Sequence, residues 1–196
     1  MMNYIVLIPA AGVGSRFGAS YPKQYVELAG RAVLQHTIDL FVKNGRLAHI
    51  AVIVSPDDEW VDEVIRLPEN VAVYRVGGKS RAETVVNGLN YLINHKIIQA
   101  DDMILVHDAV RCCLPQTALN RLLDTVGNRA QGGILAIPVV DTLKRAEHRE
   151  SVIAKTVSRA GLWQAQTPQM FQAALLQKSL QNVDFSEITD EASAVE

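Results

Sequence analysis

The sequence predicts an α/β fold in which helices cover both faces of a parallel sheet. Short apolar runs typical of buried strands recur along the chain, at 4–8, 49–54, 71–74, 103–106 and 133–137. Segments with helical periodicity separate most of them, at 33–44, 57–65, 81–94, 115–126 and 172–180. Strands that are apolar at every position, as at 50–54, are covered on both faces. We therefore expect a three-layer α/β/α sandwich.

Length and composition favour one domain. The 196 residues suffice for one domain, 1–196, with a well-filled core. Apolar residues make up 48% and charged residues 20%, which leaves no room for a long disordered tract. The formal net charge of -2 argues against nucleic-acid binding through a broad basic surface, but it allows a local cationic pocket for a small anion.

The sequence also predicts the cellular location of the protein. No apolar run approaches the roughly 20 residues of a membrane helix, and the N-terminus lacks a basic region followed by a cleavable apolar segment. We therefore expect a cytoplasmic protein that does not contact a membrane. Cys112 and Cys113 are adjacent, which is a poor geometry for a structural disulfide, so we expect reduced and partly buried thiols.

The first strand opens into a loop of small residues that carries two cations. Alanine and glycine at 10–12 leave backbone N–H groups uncovered for a polyphosphate, whose charge Arg16 and Lys23 would neutralise. The G-x-G-x-x-G fingerprint of dinucleotide-dependent oxidoreductases does not fit, because its third glycine falls on Phe17. The loop predicts a nucleotide site of another kind.

Two further polar segments follow predicted strands, at 77–81 and 107–111. The carboxyl ends of parallel strands meet at one edge of the sheet, where ligands bind. We therefore expect both segments to join the first loop in a single site.

The pattern breaks from 139 to 159. Residues 141–150 are highly polar, whereas 152–157 alternate as a strand does, so we expect a projecting β-hairpin arm. A two-stranded arm is marginally stable alone in water, which favours packing against a second subunit. A solvated, mobile hairpin is the alternative.

The chemistry-bearing motifs together resemble those of one family. In order, they are Pro9-Ala10-Ala11-Gly12 with Arg16, Pro22-Lys23-Gln24-Tyr25, Gly77-Gly78 with Arg81, His107-Asp108-Ala109 with Arg111, Asp141-Thr142 with Lys144-Arg145, Gly161-Leu162-Trp163, Thr167-Pro168-Gln169 and Thr189-Asp190-Glu191-Ala192-Ser193. This series resembles the 2-C-methyl-D-erythritol 4-phosphate cytidylyltransferases of the non-mevalonate isoprenoid pathway, and it spans nearly the whole chain. The resemblance implies a Rossmann-like nucleotidyltransferase sheet with a hairpin arm at 139–159.

The resemblance implies that CTP and methylerythritol 4-phosphate react, with Mg²⁺, to give a cytidine diphosphate derivative and pyrophosphate. Physical chemistry agrees with this reading. Attack of one phosphate on another brings two anions together, so the catalyst must chiefly neutralise charge and align the groups. No protein nucleophile is needed.

The resemblance also assigns residues to roles. Arg16 and Lys23 would bind the CTP phosphates and stabilise the transition state. The rest of the CTP site would comprise Ala10, Ala11, Gly12, Gly78, Lys79 and Thr84. The methylerythritol phosphate site would comprise Asp108, Ala109, Arg111, Thr142, Arg159 and Thr167, with Asp108 also a possible metal ligand. Thr142 and Arg159 would reach the neighbouring subunit's site, which makes the expected homodimer the catalytic unit.

The chain departs from the family pattern in several places. Val110 and Cys112 replace the commoner alanine and proline, and Ser158 replaces an aspartate before Arg159. The family continues with a further strand, a phosphate-binding lysine and a final helix, so we expect this sequence to end before that segment.

Two other functions stay open. One is a related cytidylyltransferase acting on another alcohol phosphate, such as ribitol 5-phosphate; Thr142 and Arg159 favour methylerythritol phosphate instead. The other is a regulatory module that binds the nucleotide without turnover.

Overall fold

The computed structural model describes residues 2–12, 22–127, 129, 131–147, 152–181, 184–185 and 188–196. A six-stranded sheet organises them. Its strands are β1 (Tyr4–Pro9), β4 (Leu47–Ile53), β5 (Val71–Tyr74), β6 (Met103–Val106), β7 (Gly133–Pro138) and β10 (Trp163–Gln172). They lie side by side in the order β5-β4-β1-β6-β10-β7. The central strand β1 pairs in parallel with both neighbours, so that Val6 lies opposite Ile50 of β4 and Leu105 of β6.

The longer helices connect the strands. They are α1 (Val33–Val42), α3 (Arg81–Asn94), α4 (Gln116–Val126) and α5 (Ala173–Ser179), with the short α2 (Val61–Val64) and α6 (Glu191–Val195). A two-residue ribbon of β2 (Glu27–Leu28) and β3 (Arg31–Ala32) precedes α1. None of the helices in the described ranges combines the length and apolar character needed to cross a membrane.

Alternating side chains of β1 fill two separate cores. Val6 and Ile8 belong to one buried cluster with residues of α1 and α4. Ile5 and Leu7 belong to the other, with residues of α3 and α5. Because successive strand residues point to opposite faces, this division confirms the predicted three layers.

The alternation of strands and helices predicts a parallel sheet, but one strand of the sheet is antiparallel to its neighbours. β10 runs antiparallel to both β6 and β7. It had not been predicted as a strand, because Gln164, Gln166 and Gln169 interrupt its apolar pattern. Gln166 accepts a hydrogen bond from Arg111 of the site described below, whereas Gln169 is buried and binds Asp190 and Ala192.

The predicted hairpin is present. β8 (Leu143–Ala146) and β9 (Ile153–Val157) form a separate antiparallel pair, with Leu143 opposite Val157. Apolar side chains on and beside this arm are exposed, including Val140 at 70% and Ile153 at 62%. The segment 148–151 lies outside the described residues.

Candidate active site

The loops that follow β1, β5 and β6 meet at the carboxyl edge of the sheet, as predicted. They enclose a cleft of about 220 Å³. Every described residue predicted for the CTP site lines it, namely Ala10, Ala11, Gly12, Lys23, Gly78, Lys79 and Thr84. Asp108 and Ala109 line the same cleft. Arg16 lies outside the described residues.

Lys23 begins a 3-10 turn (Lys23–Tyr25) whose other two residues are buried. The side-chain amide of Gln24 donates a 2.7 Å hydrogen bond to the carbonyl of Ala10. The Tyr25 hydroxyl donates a 2.6 Å hydrogen bond to Asp58, and burial together with this carboxylate raises the pKa of Tyr25. Two buried anchors thus hold the turn, while Lys23 itself is exposed and makes no ion pair with a described residue.

The glycine pair after β5 permits a close approach of loops. A Cβ atom on Gly77 would lie 2.3 Å from the Cβ of Ala11 and 2.7 Å from the carbonyl oxygen of Val54. The Gly77 N–H donates to that same carbonyl at 2.8 Å. Glycine is therefore required sterically here, and this position brings the second loop against the first.

The start of α3 fixes the other wall of the cleft. Ser80 caps the helix by accepting a hydrogen bond from the Glu83 N–H at 3.1 Å. The Glu83 carboxylate accepts from the Lys79 N–H at 2.7 Å, and the Thr84 hydroxyl accepts from the Gly78 N–H at 3.1 Å. The N–H groups of Gly78 and Lys79 are therefore already engaged within the protein.

The β6 loop carries a chain of alternating charges. Asp108 accepts from the Arg81 Nε at 2.8 Å with one oxygen and from the Arg111 Nε at 2.9 Å with the other. Arg111 also donates to the Gln166 side chain at 2.7 Å. Burial opposes ionisation of Asp108, but the two guanidinium groups outweigh it and hold the pKa of that carboxyl below its ordinary value.

Glu191 extends this chain, and residue-by-residue reasoning had not singled it out. Its carboxylate accepts from both terminal nitrogens of Arg81, at 2.6 and 3.0 Å. Glu191 is 1% exposed, although it lies over 80 residues from Asp108 in the sequence. Only its place within the Thr189–Ser193 motif had drawn attention to it.

His107 lies directly behind Asp108 in the core. Its Nε2 is 3.0 Å from the Arg111 carbonyl oxygen, so that nitrogen carries the proton and donates. Its ring packs edge-on against Phe41, with centroids 4.9 Å apart. Burial lowers the pKa of His107 to about 4.

This burial makes stability depend on acid pH. The unfolded chain binds a proton at this histidine below about pH 6.5 and the folded chain does not until about pH 4, so stability falls as pH drops through that window. We expect the His107 contribution to lower the free energy of unfolding by about 2 kcal/mol between pH 7 and pH 4.5. Urea denaturation at both values should show that the His107→Gln variant loses this part of the pH dependence. An unchanged difference between the two pH values in that variant would contradict the assignment.

The remaining predicted substrate residues divide into two groups. Thr167 is buried in β10, and its hydroxyl lies 3.4 Å from the Asp108 N–H, which places it beside the β6 loop. Thr142 and Arg159 lie on the arm and do not line this cleft; Arg159 donates to the Val140 carbonyl. Arg111 and Thr167 do not line the cleft either: they line a neighbouring cavity of about 490 Å³, and their contacts with Asp108 tie that cavity to the cleft.

The adjacent cysteines are free thiols, with sulfur atoms 3.9 Å apart. Cys112 is partly buried, as predicted. Cys113 is exposed, so the expectation of burial was wrong for it, because the loop after Arg111 turns this side chain outward.

The described residues offer a sparse set of metal ligands. They contain no group of three or more histidine, cysteine or carboxylate side chains that could hold a metal ion. Asp108 is the one carboxylate among the described residues that line the cleft. Mg²⁺ is typically held by one or two carboxylates together with substrate phosphates and water, and this donor set fits that mode.

Nearly the whole chain matches known proteins. Residues 4–196 match the IspD family, described as 2-C-methyl-D-erythritol 4-phosphate cytidylyltransferase. A relative of that name from Neisseria meningitidis is 54% identical over 98% of this chain and 83% of its own length. One from Laribacter hongkongensis is 50% identical over 100% of this chain and 84% of its own.

Solved structures share the fold. A crystal structure titled 4-diphosphocytidyl-2C-methyl-D-erythritol synthase has a TM-score of 0.87 and 49% identity, covering 100% of this chain and 84% of its own. The cytidylyltransferase of Francisella tularensis has a TM-score of 0.82 and 32% identity, covering 98% and 85%. The chain therefore belongs to the 2-C-methyl-D-erythritol 4-phosphate cytidylyltransferase family and is a nucleotidyltransferase.

Proposed function

We propose that the protein transfers the cytidylyl group of CTP to 2-C-methyl-D-erythritol 4-phosphate, giving 4-diphosphocytidyl-2-C-methyl-D-erythritol and pyrophosphate. One observation carries the proposal. The cleft at one edge of the sheet brings an exposed lysine on a glycine-lined loop together with Asp108, which is ion-paired to Arg111 beside the cleft. The first part suits a nucleotide triphosphate, and the second suits a hydroxylated phosphate.

The nucleotide half neutralises charge on a triphosphate. Lys23 and the backbone of Ala10–Gly12 would face the phosphates, and Arg16 would add a second cation from the same loop. The cytosine would lie against the main chain of Gly78 and Lys79, whose conformation the Thr84 hydroxyl and the Glu83 carboxylate fix.

The reaction would be a single in-line displacement. A phosphate oxygen of the alcohol phosphate attacks the α-phosphorus of CTP. The bond between the α-phosphorus and the oxygen that bridges it to the β-phosphorus breaks, and pyrophosphate leaves. The described residues that line the cleft include no cysteine or histidine to act as a covalent nucleophile. Positioning and charge stabilisation would therefore supply the rate acceleration.

Mg²⁺ is part of this proposal. Asp108 would hold it beside the nucleotide phosphates. When bound, the ion neutralises phosphate charge as a Lewis acid.

The alcohol phosphate half would be completed by a second subunit. Asp108 would accept hydrogen bonds from substrate hydroxyls, while Arg111 and Thr167 would face the substrate from the same chain. Thr142 and Arg159 would enter from the partner's arm. The exposed apolar side chains on and beside the arm, such as Ile153 at 62% and Trp163 at 63%, support a homodimer because a partner would cover them.

The chain would form one nucleotidyltransferase domain, 1–196, with 139–159 as the dimerisation arm. The cytoplasmic location expected from the sequence stays a prediction.

Pyrophosphate release tests the proposal. With CTP and Mg²⁺, we expect turnover with methylerythritol 4-phosphate and much slower turnover with ribitol 5-phosphate. CTP alone is the blank. Faster turnover with ribitol 5-phosphate would contradict the substrate assignment, and CTP binding with no turnover would favour a regulatory module.

A further inference from the structure

Glu191 is a buried carboxylate outside the set of residues assigned to substrates. It begins α6, and its neighbours are fixed to β10 on both sides. The Gln169 side chain donates to Asp190 at 2.7 Å and accepts from the Ala192 N–H at 2.8 Å. Gln169 is itself 1% exposed. Glu191 is therefore held by the sheet rather than by a free helix end.

The geometry of the Glu191 contact restricts Arg81. Two parallel hydrogen bonds from a guanidinium to a carboxylate fix the plane of both groups, which a single contact does not. The remaining Nε of Arg81 then points at Asp108. Arg81 has one side toward Glu191 and the other toward the cleft, which it lines.

The charges of four ion-paired side chains balance one another. Glu191, Arg81, Asp108 and Arg111 alternate in sign, and each contact between neighbours is a hydrogen-bonded ion pair. The Glu191 side chain is 2% exposed, whereas those of Arg81, Asp108 and Arg111 are 33, 26 and 46% exposed. Glu191 is thus the buried end of this series of ion pairs, and the other three side chains are each at least a quarter exposed, so position is set from the Glu191 end.

We propose that Glu191 is a positioning residue for the alcohol phosphate site. It holds Arg81, which orients the Asp108 carboxylate, and Asp108 in turn holds Arg111. Because Asp108 shares its two oxygens between two arginines, a shift of Arg81 changes both the acceptor and the cation offered to the substrate. This inference rests on the proposed function, and it adds a residue that does not touch either substrate.

The test is the Glu191→Gln variant, which keeps the size of the side chain and removes its charge. We expect kcat/KM for methylerythritol 4-phosphate to fall on the order of tenfold or more, because small displacements of positioning groups are costly. The KM for CTP should change less than about threefold, because Lys23 and the glycine loops do not depend on Glu191.

A second measurement separates positioning from stability. Adding Glu191→Gln to an Asp108→Asn variant should cause little further loss of kcat/KM, because the first residue acts through the second. If the two effects on kcat/KM multiply independently, Glu191 does not act through Asp108, and the proposal is wrong.

Asp102→Asn is the matched control. Asp102 is also 1% exposed, and its carboxylate accepts hydrogen bonds from the Asn3 and Gln99 N–H groups. It directly precedes β6 and so lies at the end of that strand away from the cleft. This variant should lower the melting temperature without changing the ratio of the two substrates' KM values.

Wild-type turnover separates this inference from the proposed function. No transfer to methylerythritol 4-phosphate by the wild type contradicts the proposed function. Normal wild-type transfer, with Glu191→Gln constants unchanged for both substrates or worsened equally for both, contradicts the positioning role alone.

Discussion

Replacing Lys23 by alanine is expected to lower kcat by on the order of 10² to 10³-fold, by analogy with the loss of one preorganised donor from an oxyanion hole. Lys23 lies on a turn that two buried neighbours anchor, so its ammonium group is held at the cleft without adding to the core. Negative charge builds on the phosphate oxygens in the transition state, and a cation fixed in advance stabilises it.

Stopped assays of pyrophosphate release at saturating CTP measure this effect. The melting temperature should stay within a few degrees of the wild type, because an exposed side chain without an ion pair to a described residue adds little stability. Lys43→Ala is the matched control, since Lys43 is exposed at the end of α1 and does not line the cleft. Turnover near the wild-type level in Lys23→Ala would remove this residue from the mechanism.

Mixing two inactive variants is expected to restore about a quarter of the wild-type activity if the arm completes the partner's site. Lys23→Ala and Arg159→Ala should each be nearly inactive as homodimers. In a mixed dimer, one site would carry both defects and the other would carry neither. Random pairing makes half of the dimers mixed, and each mixed dimer has one intact site in two.

Co-expression with two different affinity tags would isolate the mixed dimer, which should then show about half of the wild-type turnover per dimer. Mixtures of each variant with itself serve as blanks. If Lys23 and Arg159 served a site within one chain, every site in the mixed dimer would be defective. No recovery in a verified mixed dimer would therefore contradict the shared site.

Much of the fold could be predicted from the sequence because apolar runs report burial on both faces. The bounds of β5, β6 and α3 agree with those predicted. The arm lies where the polar residues 141–150 are followed by the strand-like alternation of 152–157. β10 was not predicted, because its glutamines interrupt the apolar pattern of a core strand: Gln166 contacts Arg111, and the buried Gln169 binds Asp190 and Ala192. Its antiparallel direction depends on how the arm returns the chain to the sheet, which local periodicity does not record.

The candidate site was predictable where it depends on loops at strand ends. The structure brings Lys23, Gly78 and Asp108 to one cleft, as parallel topology requires. The contacts among them were not predictable, because hydrogen-bond partners between distant segments leave no local pattern. The link from Glu191 through Arg81 to Asp108 joins α6, α3 and the β6 loop, and it became visible only in three dimensions.

The most direct test of the account follows oxygen atoms through the reaction. Methylerythritol 4-phosphate labelled with ¹⁸O in its phosphate would be incubated with CTP, Mg²⁺ and the protein, and the products analysed by mass spectrometry and ³¹P NMR. We predict a cytidine diphosphate product that carries ¹⁸O in the bridge between its phosphorus atoms, and unlabelled pyrophosphate. Failure to form that diphosphate, or a bridge without label, would contradict attack by the substrate phosphate on the α-phosphorus of CTP.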